Sequence, residues 1–199
     1  MNALRRSLAA FFISLILSTP SAWAVRTIVI DAGHGGHDRG GGPGQRIPES
    51  PYVLDISRRL RTVLQAAGFR TVMTRDGDYF VSLGGRCAIA NAQRDALMVS
   101  VHLNSGQREG ANGVETYYYT GRSASLAAAV HAPVVSAAGT ENRFVRRRGF
   151  YVLRNTRIPS IIVECGFLTN RAEGARISGS AAHRQKLAEA IARGVSRFR

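Results

Sequence analysis

The chain has two cysteines, one tryptophan and only 13 acidic residues against 27 basic ones in 199 positions. Two cysteines, Cys87 and Cys165, are too few for a disulfide scaffold, and their spacing is not that of a zinc knuckle, so stability must come from a hydrophobic core. Both sit in apolar surroundings and read most simply as small core residues, although an oxidising compartment would permit them to pair. Internal repeats, low-complexity stretches and Pro/Ser/Gly-rich linkers are also missing, and glycine is dense only between positions 33 and 44. That excludes a repeat array and argues for one domain.

The shortage of acidic residues leaves a net charge of +14, nearly all of it arginine because Lys186 is the only lysine. This balance is either a solvated surface or an attraction to carboxylate-bearing polymers. Nucleic acid is not the expected partner, since the charges are spread over helix faces rather than interleaved with aromatics.

The first 24 residues belong to export rather than to the fold. Arg5 and Arg6 form a basic start, Leu8 to Leu17 an apolar run, and Ala22-Trp23-Ala24 a small-x-small cleavage site, which together describe a secretory signal peptide. The Arg-Arg pair partly resembles a twin-arginine signal. The run is short for a bilayer span and no stop-transfer pattern follows, so no stable membrane anchor is expected after cleavage. The product would be periplasmic or extracellular and would comprise residues 25–199, a suitable size for one domain acting as a monomer.

Strand and helix patterns alternate through that remainder. Arg26 to Asp31 is a nearly continuous β-branched run, as expected of a strand buried on both faces. Pro51 to Ala67 places Val53, Ile56, Leu60 and Leu64 at helical spacing, and Gly68 closes it. Strands are expected at Phe69–Thr74, Ala96–His102, Gly113–Thr120, Gly149–Leu153 and Ser160–Glu164, and helices at Val81–Gln93, Ser123–Ala138 and Ala181–Phe198. Gly84-Gly85 costs up to about 1 kcal/mol per residue inside a helix, which argues for a start after that pair. The alternation predicts a single α/β domain with a mostly parallel twisted β-sheet flanked by helices on both faces.

Three of these strands end in residues suited to metal chemistry: TIVIDAGH at His34, ALMVSVH at His102 and SIIVE at Glu164. Ligands of open parallel sheets gather beyond the carboxyl ends of the strands, so the three residues are expected to share one site. Two imidazoles plus a carboxylate with one open position form a catalytic zinc set. Either Glu49, at the entrance to the first helix, or Glu164 could supply the carboxylate. Glu49 could equally be a charge favouring the helix N-terminus. Glu164, directly after Ile161-Ile162-Val163, would be costly there unless it met a metal, a cation or water.

IVIDAGHGGHDRG, Glu49, TRDGDYFVSLGGR, SVHLNS, FYVLRNT and IIVECGFLTN together resemble the successive motifs of the zinc-dependent N-acetylmuramoyl-L-alanine amidases of bacterial peptidoglycan, in order and from about Arg26 to Arg199. The resemblance implies that His34, Glu49 and His102 bind Zn2+ and that Glu164 is the catalytic carboxylate. It implies peptidoglycan as substrate and cleavage of the bond between muramic acid and L-alanine. Departures are local: Ala32 and Arg39 stand where the family often has proline, and Ser50-Pro51 replaces a charged pair.

Cell-separation members of the family often carry an inserted helix that covers the zinc. The segment from Asn104 to Gly149 is short for one, so an uncovered site with no activator protein is expected. Two rival readings stay open: a zinc peptidase cutting within the stem peptide, and a non-catalytic wall-binding protein. Among the other polar residues, His37 is expected to face solvent, and His131 and His183 to be structural. Asp31 would orient His34 or close a turn, and Arg154 and Asn155, just after a strand, are lesser candidates for contact with substrate carboxylates or peptide groups.

Overall fold

The computed structural model of the protein describes residues 25–42, 45–108 and 110–198, so the signal-peptide reading of residues 1–24 lies outside the described residues. The order of elements is β1 (Thr27–Ala32), α1 (Ser50–Ala66), β2 (Arg70–Met73), α2 (Leu83–Asn91), β3 (Ala96–Asn104), β4 (Val114–Tyr118), α3 (Gly121–Ala138), β5 (Asn142–Arg147), α4 (Tyr151–Asn155), β6 (Ser160–Phe167), α5 (Arg171–Gly179) and α6 (Ala181–Arg197). The six strands form one sheet in the order β2-β1-β3-β6-β4-β5. Neighbours from β2 to β6 are parallel, and β4 runs antiparallel to β6 while pairing in parallel with β5. The sheet is therefore mostly parallel, with helices on both faces, as the alternation predicts.

Side-chain alternation divides the core in two. Ile28 and Ile30 of β1, Val99 and Val101 of β3 and Ile161 and Val163 of β6 point towards α1, α3 and α6, where Leu60, Val130 and Ile191 are fully buried. Each such side chain contributes about 1.5–3 kcal/mol by leaving water. On the other face Val29, Met98 and Ile162 pack with Cys87 of α2 and Val152 and Leu153 of α4. Cys165 belongs to the first cluster and Cys87 to the second. The sheet thus separates the two thiols, both are free and buried, and a bond between them is excluded.

Several elements differ from the sequence-based expectation, among them α5, a helix over Arg171–Gly179 that the expected elements do not include. Gly149–Leu153 is not a strand: its aromatic and β-branched content favours one, but the chain forms the short helix α4, whose Val152 and Leu153 fill the second core. The strand lies earlier, at β5, where N-R-F-V-R-R shows no apolar alternation because it is the sheet edge and half its side chains meet solvent. Helix α2 begins before the Gly84-Gly85 pair rather than after it. Ser82 accepts a hydrogen bond from the Gly85 amide at 3.1 Å, and this cap offsets the glycine cost.

Candidate metal centre and catalytic cleft

Beyond β1 the chain turns through Gly33-His34-Gly35-Gly36, and His34 takes a φ of 60°, a left-handed value unfavourable for a residue with a side chain. Two buried arginines hold it there. Arg86 donates to the carbonyls of Ala32 at 2.6 Å and His34 at 2.7 Å, and pairs with Asp31 at 2.7 Å. Arg75, with no exposed surface, donates to the carbonyls of Ala32 at 2.9 Å, Gly33 at 2.7 Å and Ser50 at 3.0 Å. One guanidinium thus ties the backbone beside His34 to the backbone beside Glu49.

Glu49 stands at the N-cap position of α1, yet its side chain makes no capping bond. It turns inwards instead, 3% exposed, where Oε1 accepts from the Leu103 amide at 2.8 Å and lies 2.9 Å from His102 Nδ1, and Oε2 lies 3.1 Å from His34 Nε2. One donor atom from each of His34, Glu49 and His102 lies within 4.8 Å of the other two, close enough to share an ion. Space is reserved around them. A Cβ on Gly33 would come within 2.3 Å of the His102 ring, and one on Gly40 within 2.7 Å of both His34 and Glu49. Asp38, whose carboxylate oxygens are 2.9 Å from His34 Nδ1, accepts that ring proton and leaves Nε2 turned to the shared position.

Burial by itself would favour neutral forms of this trio, but hydrogen bonds between the groups win. Glu49 is held well below the usual carboxylate range by His102 and His34, and both histidines are raised by Glu49. Such mutual stabilisation of a carboxylate and two imidazoles is the balance a divalent cation would take over. Two imidazole nitrogens, one carboxylate and a cleft on the remaining side fit a zinc ion of the catalytic kind.

Glu164 lies opposite His102 in the register of β3 and β6, and opposite Glu115 in that of β6 and β4. Its Oε2 is buried and has no hydrogen-bond partner among the described residues. Burial, reinforced by Glu49 and Glu115 and opposed by His102 and His34, pushes its pKa up to about 7. His34, Glu49, His102 and Glu164 all line one open cleft of about 870 Å³, with Asn104, Ser105, Phe150 and Thr169 among its walls.

The sequence-selected residues therefore divide clearly. His34, Glu49, His102 and Glu164 come together. Asp31 does not reach His34: it is buried against Arg86, Thr74 and Ser100, and Asp38 takes the orienting position. His37 is exposed against the Phe80 ring, His131 is buried between Thr116 and Asn142, and His183 is buried on α6. Arg154 and Asn155 are exposed on α4 and do not line the cleft. Asp38, Arg86 and Glu115 carry no periodic or strand-end signal, and Arg75, although it follows the expected strand Phe69–Thr74, is not singled out by that position; only the closed-up fold shows what they touch.

A carboxylate between two imidazoles, with a second carboxylate over the same cleft at the carboxyl edge of a parallel sheet, is the arrangement of a hydrolase. The family model described as N-acetylmuramoyl-L-alanine amidase matches residues 28–197. The chain belongs to that family and is a peptidoglycan amidase. It is 36% identical over 169 residues to the N-acetylmuramoyl-L-alanine amidase LytC of Bacillus subtilis, a match covering 83% of this chain but 34% of LytC. The chain thus spans about a third of that relative. The solved amidase AmiC2 of Nostoc punctiforme superposes with a TM-score of 0.79 at 40% identity, covering 86% of this chain and 96% of that one. The CwlD amidase of Clostridioides difficile, solved in complex with the GerS lipoprotein, superposes with a TM-score of 0.81 at 27% identity, covering 87% and 98%.

Proposed function

We propose that the enzyme hydrolyses the amide between the lactyl group of N-acetylmuramic acid and L-alanine, with zinc held by His34, Glu49 and His102 and with Glu164 as general base and acid. The observation that carries this reading is the buried oxygen of Glu164, without a hydrogen-bond partner among the described residues, in the same cleft as the three converging donors. A zinc ion held there would polarise the scissile carbonyl and acidify a water in the open position. Glu164 takes the proton as the water oxygen bonds to the carbonyl carbon, then delivers it to the nitrogen as the C–N bond breaks. The products are a muramic acid carboxylate and a stem peptide with a free α-amine. A pKa raised by burial suits a group that must both accept and return a proton near neutrality.

Residues 1–24 act as the export signal in this reading, and the mature domain works outside the cytoplasm as a monomer. Among the described residues no helix is long and apolar enough to cross a membrane. The cleft needs no activator to uncover it. Support comes from α3, which packs on α6, β4 and β6 and contributes no residue to the cleft wall. Metal analysis of single variants tests the assignment of roles. His34→Ala, Glu49→Ala and His102→Ala should each lose zinc, whereas Glu164→Gln should retain it stoichiometrically. Zinc loss from Glu164→Gln alone would reverse the assignment.

A further inference from the structure

The loop between β1 and α1 places two groups in the cleft wall that the hydrolytic step leaves unused. Gln45 Nε2 donates to the Ile47 carbonyl at 2.7 Å, which fixes the amide orientation, and Gln45 Oε1 is buried with no partner among the described residues. An acceptor left in this state costs free energy unless a ligand supplies an N–H. Next to it, Arg46 lines the same cleft, as does Arg108 from the loop between β3 and β4. Both arginines are exposed. Among the described residues neither guanidinium has a hydrogen-bond or ion-pair partner.

Other arginines near the site are occupied: Arg75 and Arg86 by loop carbonyls, Arg143 and Arg146 by Glu115. Apart from His34, Glu49, His102 and Glu164, Arg46 and Arg108 are the charged groups of the described cleft wall. Among the described residues no carboxylate pairs with either of them, which leaves positive charge on that flank of the cleft. A planar fork of donors is suited to a carboxylate, and a neighbouring orphan carbonyl to a peptide N–H.

We infer that Gln45, Arg46 and Arg108 form a subsite for the stem peptide in its acid form, in which Gln45 accepts a backbone N–H and the arginines bind a free carboxylate. The inference rests on the amidase reading and extends it. Stems that carry a free side-chain carboxylate are then better substrates than stems in which that group is a carboxamide, which offers no charge.

The test uses two synthetic muramoyl peptides that differ only in that carboxylate or carboxamide, with kcat/KM measured on each for the zinc-loaded protein. The wild type should prefer the acid. Arg46→Ala and Arg108→Ala should each lower the acid-to-amide ratio about fivefold, the scale of an exposed ion pair. The double variant should bring the ratio close to one, and added salt should erode the wild-type ratio as it screens the pair. Gln45→Ala should raise KM for both peptides without changing the ratio. A double variant that keeps the wild-type ratio, with zinc content and melting temperature intact, would make the arginines ordinary solvated surface and overturn the inference. Failure of the wild type to cut either peptide would instead remove the amidase reading, and the subsite with it.

Discussion

Glu164 of β6 and His102 of β3 are register partners on adjacent parallel strands, so both side chains leave the same face of the sheet. No flexible loop separates the carboxylate from the imidazole. In the proposed mechanism this carboxylate contributes by proton transfer, and Glu164→Gln, nearly isosteric, isolates that contribution. Turnover should fall about 10²- to 10⁴-fold with KM little changed, measured on a soluble muramoyl peptide.

The pH profile follows from the same carboxylate. A general base must be ionised, so activity should rise with pH through its pKa and then level off. Burial places that pKa up to about 7, and a bound cation lowers it, so the acid limb of kcat/KM should have its midpoint at or below about 7. Glu115, the register partner on β4, adds a repelling charge to the effect of burial. Glu115→Gln should therefore move the acid limb to lower pH.

Arg75 connects the backbones of two of the proposed ligands, through the carbonyls of Gly33 and Ser50. Arg75→Ala should weaken zinc binding about 10- to 100-fold, as read by competition with a fluorescent chelator. Arg75→Lys should recover little, because one ammonium cannot reproduce a fork that reaches both carbonyls.

Asp31 and Arg86 form a buried pair whose loss concerns stability before chemistry. Burial alone would raise the Asp31 pKa, but Arg86, Ser100 and Thr74 outweigh it and lower it from the ordinary 3.8. The stability it contributes is therefore fully present above about 4 and lost as pH falls below that towards the folded pKa. Asp31→Asn should cost about 3–5 kcal/mol at neutral pH in denaturant unfolding, by leaving the Arg86 guanidinium buried without its counter-charge. The wild-type advantage should shrink in acid.

What the sequence makes legible is what a strand or helix pattern carries. The strand ends at His34, His102 and Glu164 announce themselves because a long β-branched run stops at a polar residue, and a parallel sheet brings such ends to one edge. Strand β5 and helix α4 escape the pattern because an edge strand shows no apolar alternation and a five-residue helix is too short to show a period. The orienting role of Asp38 and the loop-holding role of Arg75 rest on contacts that strand and helix patterns do not encode. Asp38 lies four residues from His34 across a glycine turn, and Arg75 lies 42 residues from Gly33.

The most direct test is mass spectrometry of purified peptidoglycan after digestion by the zinc-loaded protein, repeated with chelator and with Glu164→Ala. The expected result is intact stem peptides with a free N-terminal alanine, released by the zinc enzyme alone. Cuts inside the stem, or undiminished release by Glu164→Ala, would contradict the proposed chemistry.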